Sequence, residues 1–255
     1  MSEFVSVEVV DRMQIITLNR PQACNAINLE TAQALAEALD QLDASDQAAL
    51  GILTGAGGNF SAGMDLKEFS ATGRRPHVEG RGFAGICEKP PRKPLIAAVE
   101  GYALAGGFEM ALACDLIVAS RDASFGLPEV KRGLVPFSGG MVLLPSRIPY
   151  HIAMEAVLSG DSFTAERMHG YGLVNHVVEA GQAVQHAMEI GRRILQNSPM
   201  AVQTAKRIMV ESRDWRVSDV FNMQRPLVTH IFESVDAKEG AQAFAEKREP
   251  AWRRA

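Results

Sequence analysis

The stretch LIAAVEGYALAGGFEMALACDLIVAS, from Leu95 to Ser120, decides the fold. The apolar runs PLIAAVEG and LIVAS at its two ends are typical of strands that are buried on both faces. Between them a glycine pair leads into GFEMALACD, whose length predicts a helix of about two to three turns. The order strand, turn, helix, strand predicts an α/β fold with a largely parallel sheet.

Only three charges interrupt this stretch, the carboxylates of Glu100, Glu109 and Asp115. They argue against a membrane span, because a carboxylate inside a bilayer costs several kcal/mol. Glu109 falls in the first turn of the predicted helix, where backbone N–H groups stabilise negative charge. On its own it is either an ordinary helix-start glutamate or a catalytic one.

Upstream, the chain alternates predicted strands and one long helix. VSVEVV and MQIITLNR predict a hairpin that turns at Asp11 and Arg12. A helix is predicted from Leu29 to Leu42 with Asn28 as its N-cap, and ALGILTG predicts a buried strand. The stretch from Ser70 to Arg92 is polar, rich in Gly and Pro and without a period, which predicts a mobile surface loop bordering a ligand.

Beyond Tyr150 the sequence changes to amphipathic helical segments, interrupted by LVNHVVE. A chain of 255 residues is near the upper limit for one core. We therefore expect a core over residues 1–200 and a helical C-terminal segment over residues 201–255.

Composition excludes several classes of protein. The chain is 47% hydrophobic and 22% charged, and 26 basic against 30 acidic residues leave a net charge of −4, which predicts no nucleic-acid surface. The N-terminus lacks the basic start and apolar core of an export signal. Cys24, Cys87 and Cys114 contain no C-x-x-C pair, so neither a disulfide framework nor a cysteine zinc site is predicted. We expect a cytoplasmic protein without a bound metal.

Two glycine-rich turns, GAGGNFSAG and GYALAGGFE, follow predicted buried strands. Ligands collect at such strand ends in parallel sheets. A dinucleotide fingerprint fails because Phe60 stands where the third glycine is required, and no G-K-[ST] follows for a P-loop. Glu129, in ASFGLPEVKRGL, is by itself typical of a solvated turn. If Glu129 and Glu109 met across a pocket, their charges would separate their pKa values into an acid and a base.

Five segments together resemble the crotonase (enoyl-CoA hydratase/isomerase) family: NRPQACNAIN, NFSAGMDLKEF, VEGYALAGGFEMALACDLIVAS, ASFGLPEVKRGLVPFSGG and FAEKREPAWR. Their order and spacing match over nearly the whole chain. The resemblance implies an α/β fold in which a spiral of ββα units forms two near-perpendicular sheets. It also implies a C-terminal helical trimerisation segment, and hence a homotrimer or a dimer of trimers.

The resemblance further implies an acyl-CoA thioester as substrate, with coenzyme A as part of the substrate and no separate cofactor. The backbone N–H groups of Met64 and Gly106 would form an oxyanion hole, and a glycine there leaves the N–H accessible. Glu109 would act mainly as the base for the water that attacks C3, and Glu129 as the acid that protonates C2. Further substrate contacts are implied at Ala26, Ala62, Asp65, Leu66, Lys67, Phe137, Phe244 and Lys247.

The sequence departs from the family pattern in three places. Glu100 and Ala105 stand in the segment that hydratases often write NGYALGGG, and Phe137 and Ser138 stand in the segment often written PGAGGTQ. Lys131 and Arg132 make the KRGL segment more basic than the pattern. Glu100 is expected to be a solvated or paired strand-end residue, the basic pair to be solvated or ion-paired, and Phe137 to reshape the acyl end of the pocket.

Several activities fit this pattern. The favoured one is hydration of a 2-enoyl-CoA, and the alternatives are a carnitinyl-CoA-type dehydratase, an enoyl-CoA isomerase that commonly retains one glutamate, and a non-catalytic binding protein. RNA binding, known among relatives, is disfavoured by the acidic balance. A serine hydrolase is disfavoured because Ser61 and Ser138 lie in no G-x-S-x-G elbow.

Overall fold

The computed structural model describes residues 3–253, so residues 1–2 and 254–255, at the outer ends of the two predicted units, lie outside the described residues. The strands in this range are β1 (Val5–Val10), β2 (Met13–Leu18), β3 (Leu50–Gly55), β4 (His77–Val78), β5 (Gly82–Phe83), β6 (Leu95–Val99), β7 (Tyr102–Leu104), β8 (Leu116–Ser120), β9 (Ser124–Gly126), β10 (Ser162–Thr164) and β11 (His176–Val178).

Helices connect these strands and make up the C-terminal part of the described chain. They are α1 (Leu29–Ala44), α2 (Leu66–Thr72), α3 (Gly106–Ala113), α4 (Gly140–Leu143), α5 (Tyr150–Ser159), α6 (Ala165–Gly170), α7 (Ala183–Leu195), α8 (Pro199–Glu211), α9 (Val220–Phe232) and α10 (Val235–Glu246).

A six-stranded sheet in the order β1-β2-β3-β6-β8-β11 forms the centre of the molecule, and all its pairs except β1 with β2 are parallel. Ile16 and Leu53 on one face pack into the main core with α1, while Ile52 and Ile96 pack with α7 on the other. Because both faces are covered, β3 and β6 are apolar and almost wholly buried. The prediction of buried strands at ALGILTG and PLIAAVEG is confirmed.

A second, three-stranded sheet in the order β10-β9-β7 is built from strands of only three residues. The chain passes from β6 in the large sheet to β7 in the small one and then into α3, and it repeats the step from β8 to β9. These are the expected ββα units. Their geometry brings the turn between β7 and α3 to the edge where the strands end, which is where the candidate site lies.

The first hairpin and helix agree with the sequence prediction. Asp11 and Arg12 both have positive φ, 49° and 63°, as the tight turn between two twisted strands requires. The Asn28 side chain accepts a hydrogen bond of 2.9 Å from the backbone N–H of Thr31 at the start of α1. α1 continues to Ala44.

The prediction of a surface loop over residues 70–92 is wrong for part of that stretch. Residues 81–86 are buried, and they include strand β5. The Arg81 guanidinium contacts Asp40 on α1 and donates to the carbonyl oxygens of Gly85 and Lys89, at 3.2 and 3.1 Å. Phe83 turns into the core, so a few apolar residues too widely spaced to form a period anchor the segment.

The C-terminal helices expose large apolar side chains. Phe221, Phe232 and Phe244 are 75%, 78% and 87% exposed. α10 is nevertheless anchored, because the buried Asp236 accepts a hydrogen bond of 2.5 Å from the Ser198 hydroxyl. The division of the chain at residue 200 stays a prediction.

Candidate active site

A cavity of about 1210 Å³ opens where the β7–α3 turn meets the loop before α2. Most of the predicted site residues line it: Ala26, Ala62, Met64, Asp65, Leu66, Lys67, Gly106, Glu109, Glu129 and Phe137. Phe244 and Lys247 are not among its lining residues. The structure therefore brings together the implied catalytic and oxyanion-hole residues, and leaves the implied coenzyme A contacts of the tail outside this cavity.

Two backbone segments pack against each other at the base of the cavity. The N–H of Ser61 donates to the carbonyl oxygen of Tyr102 at 2.8 Å, and the N–H of Leu104 returns a bond of 3.0 Å to the oxygen of Ser61. A Cβ atom at Gly63 would lie 2.8 Å from the backbone nitrogen of Gly106. Only a glycine at position 63, where φ is 86°, permits this approach.

The backbone N–H groups of Met64 and Gly106 are both available to a ligand. Gly106 opens α3, so its N–H has no partner within the helix. The bonds that join Met64's neighbours to Ile27 leave the Met64 N–H unused, and neither N–H donates a hydrogen bond within residues 3–253. Since both residues line the cavity, the pair can hold one carbonyl oxygen.

Ala105 fixes the direction of the Gly106 N–H. It adopts φ 52° and ψ −129°, a conformation that residues with a Cβ rarely take and that costs about 1–3 kcal/mol. Its own N–H donates to the Gly126 oxygen on β9 at 2.8 Å. The small sheet thus holds the strained turn in place, at the position where the segment often written NGYALGGG has a glycine.

Glu109 lies in the first turn of α3, as predicted, and is 2% exposed. Its Oε1 atom accepts hydrogen bonds from the backbone N–H groups of Ser138, at 2.7 Å, and Gly140, at 2.9 Å. Burial raises the pKa of Glu109, while these two donors act in the opposite direction by stabilising the carboxylate. The Oε1 atom is therefore fixed as a hydrogen-bond acceptor.

The loop that holds Glu109 escaped the sequence analysis. Gly139 between the two donors has φ 124°, and a Cβ at Gly140 would lie 3.2 Å from Glu109 Oε1. The glycine pair in PFSGG is the signal that could have revealed it, because it lets two successive backbone donors approach a buried carboxylate.

Glu129 follows Pro128 in a short 3₁₀ helix. Burial raises its pKa to about 7, and the charge of Glu109 acts in the same direction. Its Oε2 atom is buried and has no hydrogen-bond partner among the described residues. The predicted like-charge effect is present, but loss of solvent is the larger cause. The cavity thus combines a carboxyl that holds a proton near neutral pH with a carboxylate held as an acceptor.

Asp65 has structural partners as well as a place in the cavity. Its Oδ2 atom pairs with the Arg20 guanidinium at 2.9 Å, and its Oδ1 atom caps α2 by accepting from the N–H of Lys67 at 3.1 Å. Arg20 also donates to the Ala26 carbonyl oxygen at 2.6 Å. Arg20 was missed from sequence, although it belongs to the NRP segment.

The departures from the family pattern have separate explanations. The Glu100 carboxylate accepts from the N–H groups of Gly181, at 3.0 Å, and Ala183, at 2.9 Å, so it is a paired residue that caps α7. Lys131 pairs with Asp161 at 2.5 Å outside the cavity. Arg132 lines the cavity.

Two further properties of residues 3–253 bear on the class of the protein. No group of three or more His, Cys, Asp or Glu side chains is placed to hold a metal ion. No helix there has the length and apolar composition needed to cross a membrane.

Comparisons with known proteins place this chain in a family. Residues 10–255 match the family model described as enoyl-CoA hydratase/isomerase. A carnitinyl-CoA dehydratase from Salmonella arizonae is 43% identical over 93% of this chain and 94% of its own length. The crystal structure of an enoyl-CoA hydratase from Mycobacterium tuberculosis H37Rv is 54% identical, with a TM-score of 0.96 and full coverage of both chains. That of an enoyl-CoA hydratase from Mycobacterium marinum is 56% identical, with a TM-score of 0.96 over 98% of this chain and 99% of the other.

The raised pKa of Glu129 predicts how stability depends on pH. The folded state holds this proton more tightly than the unfolded state. The proton's contribution to folding stability is therefore complete below the ordinary pKa of 4.5 and is lost as pH rises through about 7. Glu129→Gln should therefore be more stable than the wild type at pH 8, and the difference should disappear towards pH 4. Thermal unfolding across this range measures it, with Glu166→Gln as an exposed control. A constant difference at every pH would show that Glu129 titrates normally.

Proposed function

The chain belongs to the enoyl-CoA hydratase/isomerase family, and we propose that it is an enoyl-CoA hydratase, which adds water reversibly across the 2,3 double bond of a 2-enoyl-CoA thioester. One observation carries this proposal: Glu109 and Glu129 line a single cavity together with the unused N–H groups of Met64 and Gly106. Coenzyme A is part of the substrate in this proposal, which involves no separate cofactor and no metal.

In the proposed reaction the thioester oxygen accepts hydrogen bonds from the Met64 and Gly106 N–H groups. These donors withdraw electron density from C3 and stabilise the enolate that forms when water adds. Each such donor contributes roughly 3 kcal/mol to the transition state. Because both are backbone groups fixed by the packed turns, they need no reorganisation during the reaction.

Each of the two glutamates carries out one of the two proton transfers of the hydration. Glu109, held as a carboxylate, takes a proton from the water as its oxygen bonds to C3. Glu129, which holds a proton near neutral pH, delivers it to C2 of the enolate. The net change is the addition of a hydroxyl group at C3 and a hydrogen at C2.

The alternatives differ in how well the cavity supports them. A dehydratase uses the same groups in the reverse direction, and the similarity to a carnitinyl-CoA dehydratase favours it as the second candidate. An isomerase needs only one carboxyl to move a proton, so the second buried glutamate argues against it. A non-catalytic protein would have no use for a buried carboxyl with a pKa of about 7.

We also propose a homotrimer or a dimer of trimers, located in the cytoplasm. The exposed phenylalanines of the C-terminal helices need a covering surface. Phe244 and Lys247 lie outside the cavity of their own chain, so they would reach the adenine and phosphates of coenzyme A bound to a neighbouring subunit. The free thiols of Cys24, Cys87 and Cys114 are compatible with a reducing compartment.

Glu109→Gln and Glu129→Gln should each lower the rate of 2-enoyl-CoA hydration by at least about 100-fold, because each removes a proton-transfer group without removing volume. The loss of absorbance at the enoyl-thioester band measures the rate, and calorimetry with a saturated acyl-CoA checks that binding is retained. Glu166→Gln, outside the cavity, is the control. Near-normal turnover by either cavity variant would contradict the two-carboxyl mechanism.

Gly106→Val should abolish turnover in a protein that still folds. A Cβ at this position would overlap the Phe83 ring, and the added side chain would crowd the space in front of the N–H. Gly170→Val is the matched control, since Gly170 is also helical and a Cβ there has nothing within 4 Å. Circular dichroism tests the fold. Normal kinetics in Gly106→Val would remove Gly106 from the oxyanion hole.

Lys247→Glu should weaken binding of coenzyme A by about tenfold, because it replaces an attraction to phosphate with a repulsion. Lys238→Glu, an exposed change on α10, the helix that ends just before Lys247, is the control. A separate double variant tests assembly. Phe221→Ser combined with Phe232→Ser should reduce the mass of the protein assembly measured by light scattering. Unchanged affinity in Lys247→Glu would refute the tail contact, and an unchanged mass would refute assembly through these helices.

A further inference from the structure

We infer that the acyl end of the cavity takes an acyl group that carries a carboxylate, and discriminates against one that carries a quaternary ammonium. This inference rests on the proposed function, because it concerns the acyl part of the same thioester. It is carried by two guanidinium groups, those of Arg75 and Arg132, which line the cavity together with Phe137.

Arg75 and Arg132 line the cavity without a carboxylate partner among the described residues. Within residues 3–253 neither guanidinium forms an ion pair or a hydrogen bond. By contrast, the cavity residue Arg20 is neutralised by Asp65, and Lys131 by Asp161. Two positive charges in the wall are therefore available to a ligand.

Each arginine is connected to one of the two glutamates through a neighbouring residue or a shared helix. Arg132 ends the 3₁₀ helix that begins at Pro128 and contains Glu129. The Arg75 guanidinium carbon lies 5.9 Å from the centre of the Phe137 ring, and the residue after Phe137 donates its N–H to Glu109. Since the glutamates act at C2 and C3, the chain beyond C3 extends towards this side.

The remaining charges of the cavity do not cancel this effect. Glu68 is a further lining carboxylate, but it lies in the first turn of α2 beside Lys67, whose positive charge also lines the cavity. Leu134 and Val135, which follow Arg132 closely in the chain, add apolar surface to the lining. The acyl end therefore combines an apolar wall with two unpaired cations.

This arrangement separates acyl groups by charge. A carboxylate can accept paired hydrogen bonds from a guanidinium, whose flat fork matches its two oxygens. A quaternary ammonium would be repelled by both arginines, and the Phe137 ring, which could otherwise attract it, already faces the Arg75 cation. A carnitinyl group, which carries such an ammonium, is consequently disfavoured.

Calorimetry with three saturated acyl-CoAs of matched chain length tests the inference without turnover. Their acyl chains end in a carboxylate, a methyl group or a trimethylammonium group. We expect the carboxylate compound to bind about tenfold more tightly than the methyl compound, and the ammonium compound to bind most weakly. Arg75→Gln and Arg132→Gln should each lower the ratio of carboxylate to methyl affinity. Arg74→Gln and Lys131→Gln, chain neighbours that do not line the cavity, should keep it.

Equal affinities, tightest binding of the ammonium compound, or an unchanged ratio in both arginine variants would overturn the inference. The proposed function is tested in a separate assay, which measures hydration of the corresponding 2-enoyl-CoAs. Binding in the expected order without hydration would support the charge selection and refute the hydratase activity. Hydration of all three compounds with equal affinities would support the hydratase activity and refute the charge selection.

Discussion

The close approach of two backbone turns is the constraint on which this site depends. Gly63 and Gly107 have no room for a side chain, because a Cβ on the first would press on the Gly106 nitrogen and a Cβ on the second would overlap the backbone of Ser61. Packed in this way, the turns place two unused N–H groups in one cavity wall. The small sheet stabilises the same contact, because it holds the strained Ala105 by a hydrogen bond to its N–H. The site is therefore a property of the backbone, which explains how a family can keep it while its side chains change.

Burial is the second constraint on the site, and it acts on the pKa values of the side chains. It raises the pKa of both glutamates, and Glu109 receives two backbone donors, from Ser138 and Gly140, that act against this rise. At Glu129 the opposing backbone hydrogen bond comes from its own residue, and its Oε2 atom has no partner among the described residues, so its pKa reaches about 7. The loop at Ser138 and Gly140 thus gives two chemically identical groups different surroundings.

Much of this was predictable from sequence where a local signal existed. The long helix with its Asn28 cap, the hairpin at Asp11 and Arg12, and the helix-start position of Glu109 all follow from patterns within a few residues. The three-residue strands of the small sheet were not seen in the pattern, because they are too short to show alternation. Residues 81–86 are buried through contacts with residues far away in sequence, such as the ion pair of Arg81 with Asp40 and the packing of Phe83 in the core. The backbone donors to Glu109 were missed because a backbone N–H itself carries no residue signature, and the glycine pair in PFSGG was the one indirect signal for them.

The central claim is that the paired N–H groups polarise the thioester carbonyl of a bound substrate. The vibrational frequency of that bond reports polarisation directly, and a carbonyl labelled with ¹³C identifies it among the protein amides. The account predicts that the labelled C=O stretch of a saturated acyl-CoA moves to lower frequency on binding to the wild-type protein. A stretch that stays at its solution frequency in a demonstrably bound thioester would contradict the account.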